Sequence, residues 1–205
     1  MAYPTVSAPY GFKPVNRQDG MPYAGATTQY AIKSVSTTIK NGDLVLITAG
    51  EVAKSGVTNN STTATNYTAG VFMGCQYVNT QGQTVQAQYY PGNAAASNAI
   101  AYVVVDQNAA YRVAVTNGSG VMSSTTVGAI GVNLVVDQTG TGSTITGDSG
   151  IGVTAPTAGL GNSASYPVKV IGVVPETATS STAFPEVFVV LTNPQLTRAT
   201  GVDFA

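Results

Sequence analysis

The chain has 205 residues, enough for one sizeable domain or two small ones with a substantial core. Only 8% of residues are charged, against about 25% in ordinary soluble proteins, while 43% are hydrophobic and the net charge is −1. This excludes a disordered chain, which pairs low hydrophobicity with high net charge, and direct nucleic-acid binding, which needs a clustered basic patch that eight scattered Lys and Arg do not make. Thr, Ser, Asn, Gln and Gly take the place of charge. Such a surface suits a protein packed against neighbours, because burying charge is costly. Secreted wall proteins and adhesins share the composition, so assembly and a secreted monomer both fit.

Residues 1–30 hold Pro4, Pro9, Pro14 and Pro22 among Tyr3, Tyr10, Phe12, Tyr23 and Tyr30. Proline at this density precludes helix and disfavours a central strand. The expectation is an extended N-terminal arm. Tyr3, Pro4, Tyr10, Phe12, Lys13, Arg17 and Tyr23 are its candidates for contact with a neighbouring surface, since aromatics bring large contact area. The alternative is an arm folded back on its own domain.

Residues 31–192 read as the β-domain. Residues 30–40 form a plausible strand, Asn41-Gly42-Asp43 a turn, and 44–48 and 51–54 short strands around Ala49-Gly50. Residues 57–68 read as an exposed loop. Four runs follow at 71–78, 83–90, 101–106 and 111–115, rich in β-branched and aromatic residues and separated by Gly, Asn, Pro and Gln. Val85, Ala87 and Tyr89 alternate with Thr84, Gln86 and Gln88, which puts the apolar set on one side of a sheet. The four runs are expected to make a hairpin and two further strands of one central sheet.

One short helix is expected within 121–132, weakened by Gly128 and Gly131. Residues 134–137 read as a strand and 139–161 as the loosest stretch. Strands are expected at 167–174 and 184–191. The continuously apolar Val187-Phe-Val-Val-Leu191 marks the second as central. Residues 193–205 are a C-terminal tail. The predicted fold class is all-β, a single barrel or sandwich-like domain with at most one short helix.

Little here looks chemical. Gly147-Asp-Ser-Gly150 matches the nucleophile segment of trypsin-like proteases over four residues, but the chain has no histidine to accept the serine proton. Thr139-Gly-Thr-Gly-Ser143 lacks the lysine of a phosphate-binding loop. A single cysteine, Cys75, permits no internal disulfide and reads as a small buried hydrophobe. The nine carboxylates show no calcium-loop spacing. The expectation is no enzyme, no cofactor and no metal. Met1-Ala-Tyr-Pro-Thr lacks the form of a signal peptide and no apolar run spans a membrane, so synthesis in a reducing cytoplasm is expected.

Ala8-Pro-Tyr-Gly-Phe-Lys-Pro-Val-Asn-Arg-Gln-Asp-Gly-Met-Pro-Tyr-Ala-Gly25 resembles an N-terminal signature of tailed-phage virion proteins. Gly70-Val-Phe-Met-Gly-Cys-Gln-Tyr77, Gln88-Tyr-Tyr-Pro91, Ala101-Tyr-Val-Val-Val-Asp106 and the stretch from Gly140 to Gly150 are similar to the same group, the head cement or decoration proteins. The resemblance implies a β-rich protein on the outer capsid surface, bound to the major capsid protein and often trimeric. A tail or host-attachment module that binds glycans is the alternative.

Overall fold

The computed structural model describes residues 7–34, 37–56, 68–92, 96–116, 129–154, 166–177, 184–192 and 194–197. Their regular structure is nearly all β, without a closed barrel. The first sheet has the order β1 (Lys13–Arg17), β10 (Ala109–Ala114), β14 (Glu186–Leu191), β13 (Val168–Val173), β11 (Asn133–Asp137), β12 (Gly152–Thr154). The second runs β2 (Thr28–Ala31), β9 (Ala96–Val104), β6 (Gly70–Asn79), β4 (Leu44–Thr48), β5 (Glu51–Lys54), and β7 (Thr84–Ala87) also pairs with β6. A small ribbon joins β3 (Ile39–Lys40) to β8 (Tyr89–Tyr90). Pairing within these sheets is antiparallel, so one face of a strand can be buried while the other meets water.

Two cores hold the sheets. The first is dominated by valines of the first sheet, with Phe12, Tyr111, Leu134 and Ile151, and it takes Leu44, Val71 and Val104 from the second sheet. The second contains the residues next to these, Val45, Phe72 and Val103, with Ile32, Ile39, Val52, Cys75, Tyr90 and Ala101. Successive strand residues point to opposite sides. The second sheet therefore lies between the two cores. It also curls, since Ile32 bridges Val52 and brings the end of β2 against β5.

The expected alternation along 84–87 holds, with Thr84 and Gln86 exposed and Val85 and Ala87 half-buried. β14 is an inner strand of its sheet, as its continuous apolar run suggests. The run 101–106 begins earlier than expected, at Ala96, and the four runs do not share one sheet. An Asx turn at Asp106 separates β9 from β10, with the Asn108 amide donating to Asp106 Oδ1 at 2.9 Å. The chain crosses there from the second sheet to the first. Residues 30–40 likewise split into β2 and β3, which lie in different sheets. The helix expected within 121–132 falls on residues that lie, from 121 to 128, outside those described.

The N-terminal segment is not a separate arm over its described length. β1 pairs with β10, β2 pairs with β9, and Phe12 is fully buried. Pro14 is accommodated because β1 is the edge strand of its sheet. The start of the C-terminal segment is also fastened. Gln195 accepts the Ile47 amide at 2.7 Å and donates to the Ile47 carbonyl at 2.6 Å.

Candidate interaction surface

The expected contact residues are mostly internal ties. Tyr3 and Pro4 lie outside the described residues. Tyr10 donates its hydroxyl to Glu186, a buried carboxylate that also accepts from Arg112. Burial, then the neighbouring Glu186, pushes the Tyr10 hydroxyl well above its ordinary pKa. Phe12 meets the Tyr111 ring edge to face at 6.2 Å and offers nothing to a partner, which corrects its expected role. Lys13 binds Asp148 at 2.6 Å and also Asn41. Arg17 pairs with Asp106 at 3.1 Å and Asp19 at 3.4 Å. Tyr23 is half-buried against the first core and donates to the Ala26 carbonyl at 2.6 Å.

Charge is thus used mainly inside one chain. Among the described residues, Lys13, Arg17, Lys54 and Arg112 form ion pairs with Asp19, Asp43, Asp106, Asp148 and Glu186. Asp43 is fully buried. It accepts from Ser149 Oγ at 2.6 Å and the Lys40 amide at 2.8 Å, and pairs with Lys54 at 3.1 Å. Ser149, the serine of the protease-like tetrapeptide, is therefore buried with its proton committed to Asp43.

One face left outside carries no charge. Ala31, Ile100, Gln76 and Gln86 lie directly opposite one another across β2, β9, β6 and β7. Opposed residues point to the same side. The next row carries Gln29, Tyr102 and Gly74. This is the side on which Val104 enters the first core, so the sheet extends past the first core and leaves the rows open. Gln29, Ala31 and Gln86 are exposed, and Gln76 and Tyr102 are half-buried. Ile100 is 38% exposed, high for a large apolar residue inside a sheet.

A loop over residues 139–150 borders this face. Of the stretch 139–161 expected to be loosest, residues 155–161 lie outside those described, and residues 139–150 are held. The Asn41 amide donates to the Gly147 carbonyl and the Ser149 amide to the Asn41 carbonyl, each at 2.9 Å. Lys40 reaches the Thr141 carbonyl and Lys13 binds Asp148. Gly140 and Gly150 run so close that a Cβ on Gly140 would collide with the Gly150 carbonyl. At the tip, the Ser143 amide donates to the Asp148 carbonyl, and Ser143 Oγ accepts from the Ile145 and Thr146 amides. A Cβ on Gly147 would come within 2.8 Å of Gln88 Cβ, which places the loop beside the residue that follows β7. Ile145 at the tip is 96% exposed.

A cleft of about 500 Å³ opens at the Ala31 end of this face, lined also by Ile32, Glu51, Tyr90, Ala96 and Ala99 with Ser34, Ser97 and Asn98. Among the described residues, no group of three or more His, Cys, Asp or Glu could hold a metal, and no helix is long and apolar enough to cross a membrane. Sequence reasoning missed the open face and the Ile145 tip. The signal for the first was present in Gln86, the exposed member of the β7 alternation. Comparison with family models, with curated proteins and with solved structures returns no match.

Proposed function

We propose that this chain is a structural virion protein, a capsid cement that binds the outer surface of a tailed-phage head and bridges major capsid protein subunits, self-associating there as a trimer. The observation that carries this reading is the uncharged open face of β2, β9, β6 and β7, in a chain whose ion pairs are internal. Such a face attaches through apolar burial and hydrogen bonds from Gln, Tyr and Thr. The resemblance of residues 8–25 and 140–150 to head decoration proteins points the same way. Adsorption to heads stripped of this protein tests it. Salt screens charge but leaves apolar burial intact, so attachment survives molar NaCl. Release by moderate NaCl, or no adsorption at all, overturns the proposal.

The cleft favours a second reading, a tail or host-attachment protein that holds a glycan against the Ser34, Ser97 and Asn98 side chains. Copy number separates the two. A cement protein is present in hundreds of copies per particle, and a tail component in tens or fewer.

A further inference from the structure

We infer that Lys13 and Asn41 become joined by an isopeptide bond that the folded chain forms on itself, with Asp148 carrying the proton. The inference is independent of the capsid reading. Three segments far apart in sequence bring these side chains together. Lys13 opens β1, Asn41 follows β3, and Asp148 lies in the loop over 139–150. Asn41 and Asp148 face each other in a parallel bridge, with the Asn41 amide on the Gly147 carbonyl and the Ser149 amide on the Asn41 carbonyl, each at 2.9 Å. The Phe12 amide donates to the Gly42 carbonyl at 3.0 Å, which lays the start of β1 alongside Asn41. Lys13 Nζ then donates to Asn41 Oδ1 and meets Asp148 Oδ1 at 2.6 Å. Asn41 is buried, and its Nδ2 donates to the Met73 carbonyl at 2.7 Å, which turns the oxygen of the amide toward Lys13.

The step needs nothing beyond these three side chains. Lys13 becomes a nucleophile by passing one proton to the Asp148 carboxylate that it touches. Its nitrogen attacks Asn41 Cγ, the atom bonded to the oxygen it already contacts. The Cγ–Nζ bond forms and the Cγ–Nδ2 bond breaks. Nζ gives up a second proton, and Nδ2 takes up that proton and the one held by Asp148, leaving as ammonium. The Asp148 carboxylate is restored, and the positive charge of Lys13 departs with the ammonium. Amine and amide are held at a separation that no free solution reaches, and each molecule makes the bond once, so a slow reaction suffices. A second route to ammonia loss lies next door, since Asn41 precedes Gly42 and could close a succinimide on the Gly42 nitrogen. That nitrogen is turned away, because the Gly42 amide donates to the Phe72 carbonyl at 2.8 Å. The bond fastens β1 to the turn before β4 by a link that heat and denaturant leave intact.

Intact-mass spectrometry of the denatured full chain tests this on wild type, Lys13→Arg and Asp148→Asn, with thermal melting to confirm that the variants fold. Wild type should weigh one ammonia less than its sequence, and both variants should have their full sequence mass. Trypsin should release from wild type a branched peptide in which residues 1–17 are joined to residues 41–54. That peptide supports the bond even where a variant fails to fold. A wild-type chain at its full sequence mass overturns the proposal, and the contact is then an ion pair with a hydrogen bond beside it. Ammonia loss that persists in Lys13→Arg, or that hydroxylamine reverses, assigns the loss to a succinimide and overturns the bond. Full cross-linking in Asp148→Asn overturns the role of Asp148 as proton carrier.

Discussion

Phe12 shows how a residue changes meaning once its partners are known. In the sequence it stands among four prolines and reads as an exposed aromatic. In the structure it is enclosed by the first core and set against Tyr111. Phe12→Ala should destabilise the protein by about 3–5 kcal/mol, the usual cost of removing a buried phenyl ring. Equilibrium denaturation measures it, and a loss under 1 kcal/mol would show that the segment is detachable after all. Titrating groups carry a second prediction. Burial pushes the Cys75 thiol up to about 12 and also raises the hydroxyls of Tyr111 and Tyr10, the latter helped by Glu186. In the unfolded chain these groups titrate near their ordinary values, about 8.5 for Cys and 10 for Tyr. Above that range the unfolded state releases protons that the folded state retains, so it binds fewer protons and stability falls as pH rises. The denaturation midpoint should drop between pH 8 and pH 11, and Cys75→Ala should remove the earliest part of the drop. A midpoint flat to pH 11 would contradict the burial of these groups.

At the scale of elements, legibility depends on whether one face of a strand meets water. β7 is two-faced, so Thr84 and Gln86 could be told from Val85 and Ala87 by alternation alone. β14 lies between two strands and is buried along most of its length, so its run of apolar residues marked it as central. β9 misleads for a related reason. At its end Val103 enters one core and Val104 the other, so the last residues of β9, buried on both sides, show no period from which to assign the faces. Its partition from β10 therefore had no signal beyond the Asp106 turn. The loop over 139–150 looked loose because glycine usually marks freedom. Here Gly140 and Gly150 serve close approach of two backbones, and the groups that hold the loop, Lys13 and Asn41, lie about a hundred residues upstream. No local reading could join them. The prolines of the first thirty residues were a true sign of non-central structure, but an edge strand satisfies that sign as well as an arm does.

The molecule pairs many of its charges within its own fold and leaves one face, the rows from Gln29 to Gln86, uncharged. Exposed ion pairs contribute roughly 0–1 kcal/mol each, so an interface built without them forgoes little. An ordinary stable contact buries roughly 1,600 Å², and on the proposed reading the rows from Gln29 to Gln86 contribute amide hydrogen-bonding groups and apolar area to one. If that contact bridges coat subunits, each bound copy stabilises the assembled shell and not the separated subunits. Linkage then gives about 2.7 kcal/mol per site when free protein stands at 100 times its Kd. Summed over many sites on one shell, this raises the temperature at which heads rupture. Heads loaded with the protein should therefore outlast stripped heads on heating, as followed by release of packaged DNA to an added dye. The margin should persist in molar NaCl, since salt screens charge but leaves apolar burial intact. Equal rupture temperatures for loaded and stripped heads would mean that the protein decorates the shell without bridging it.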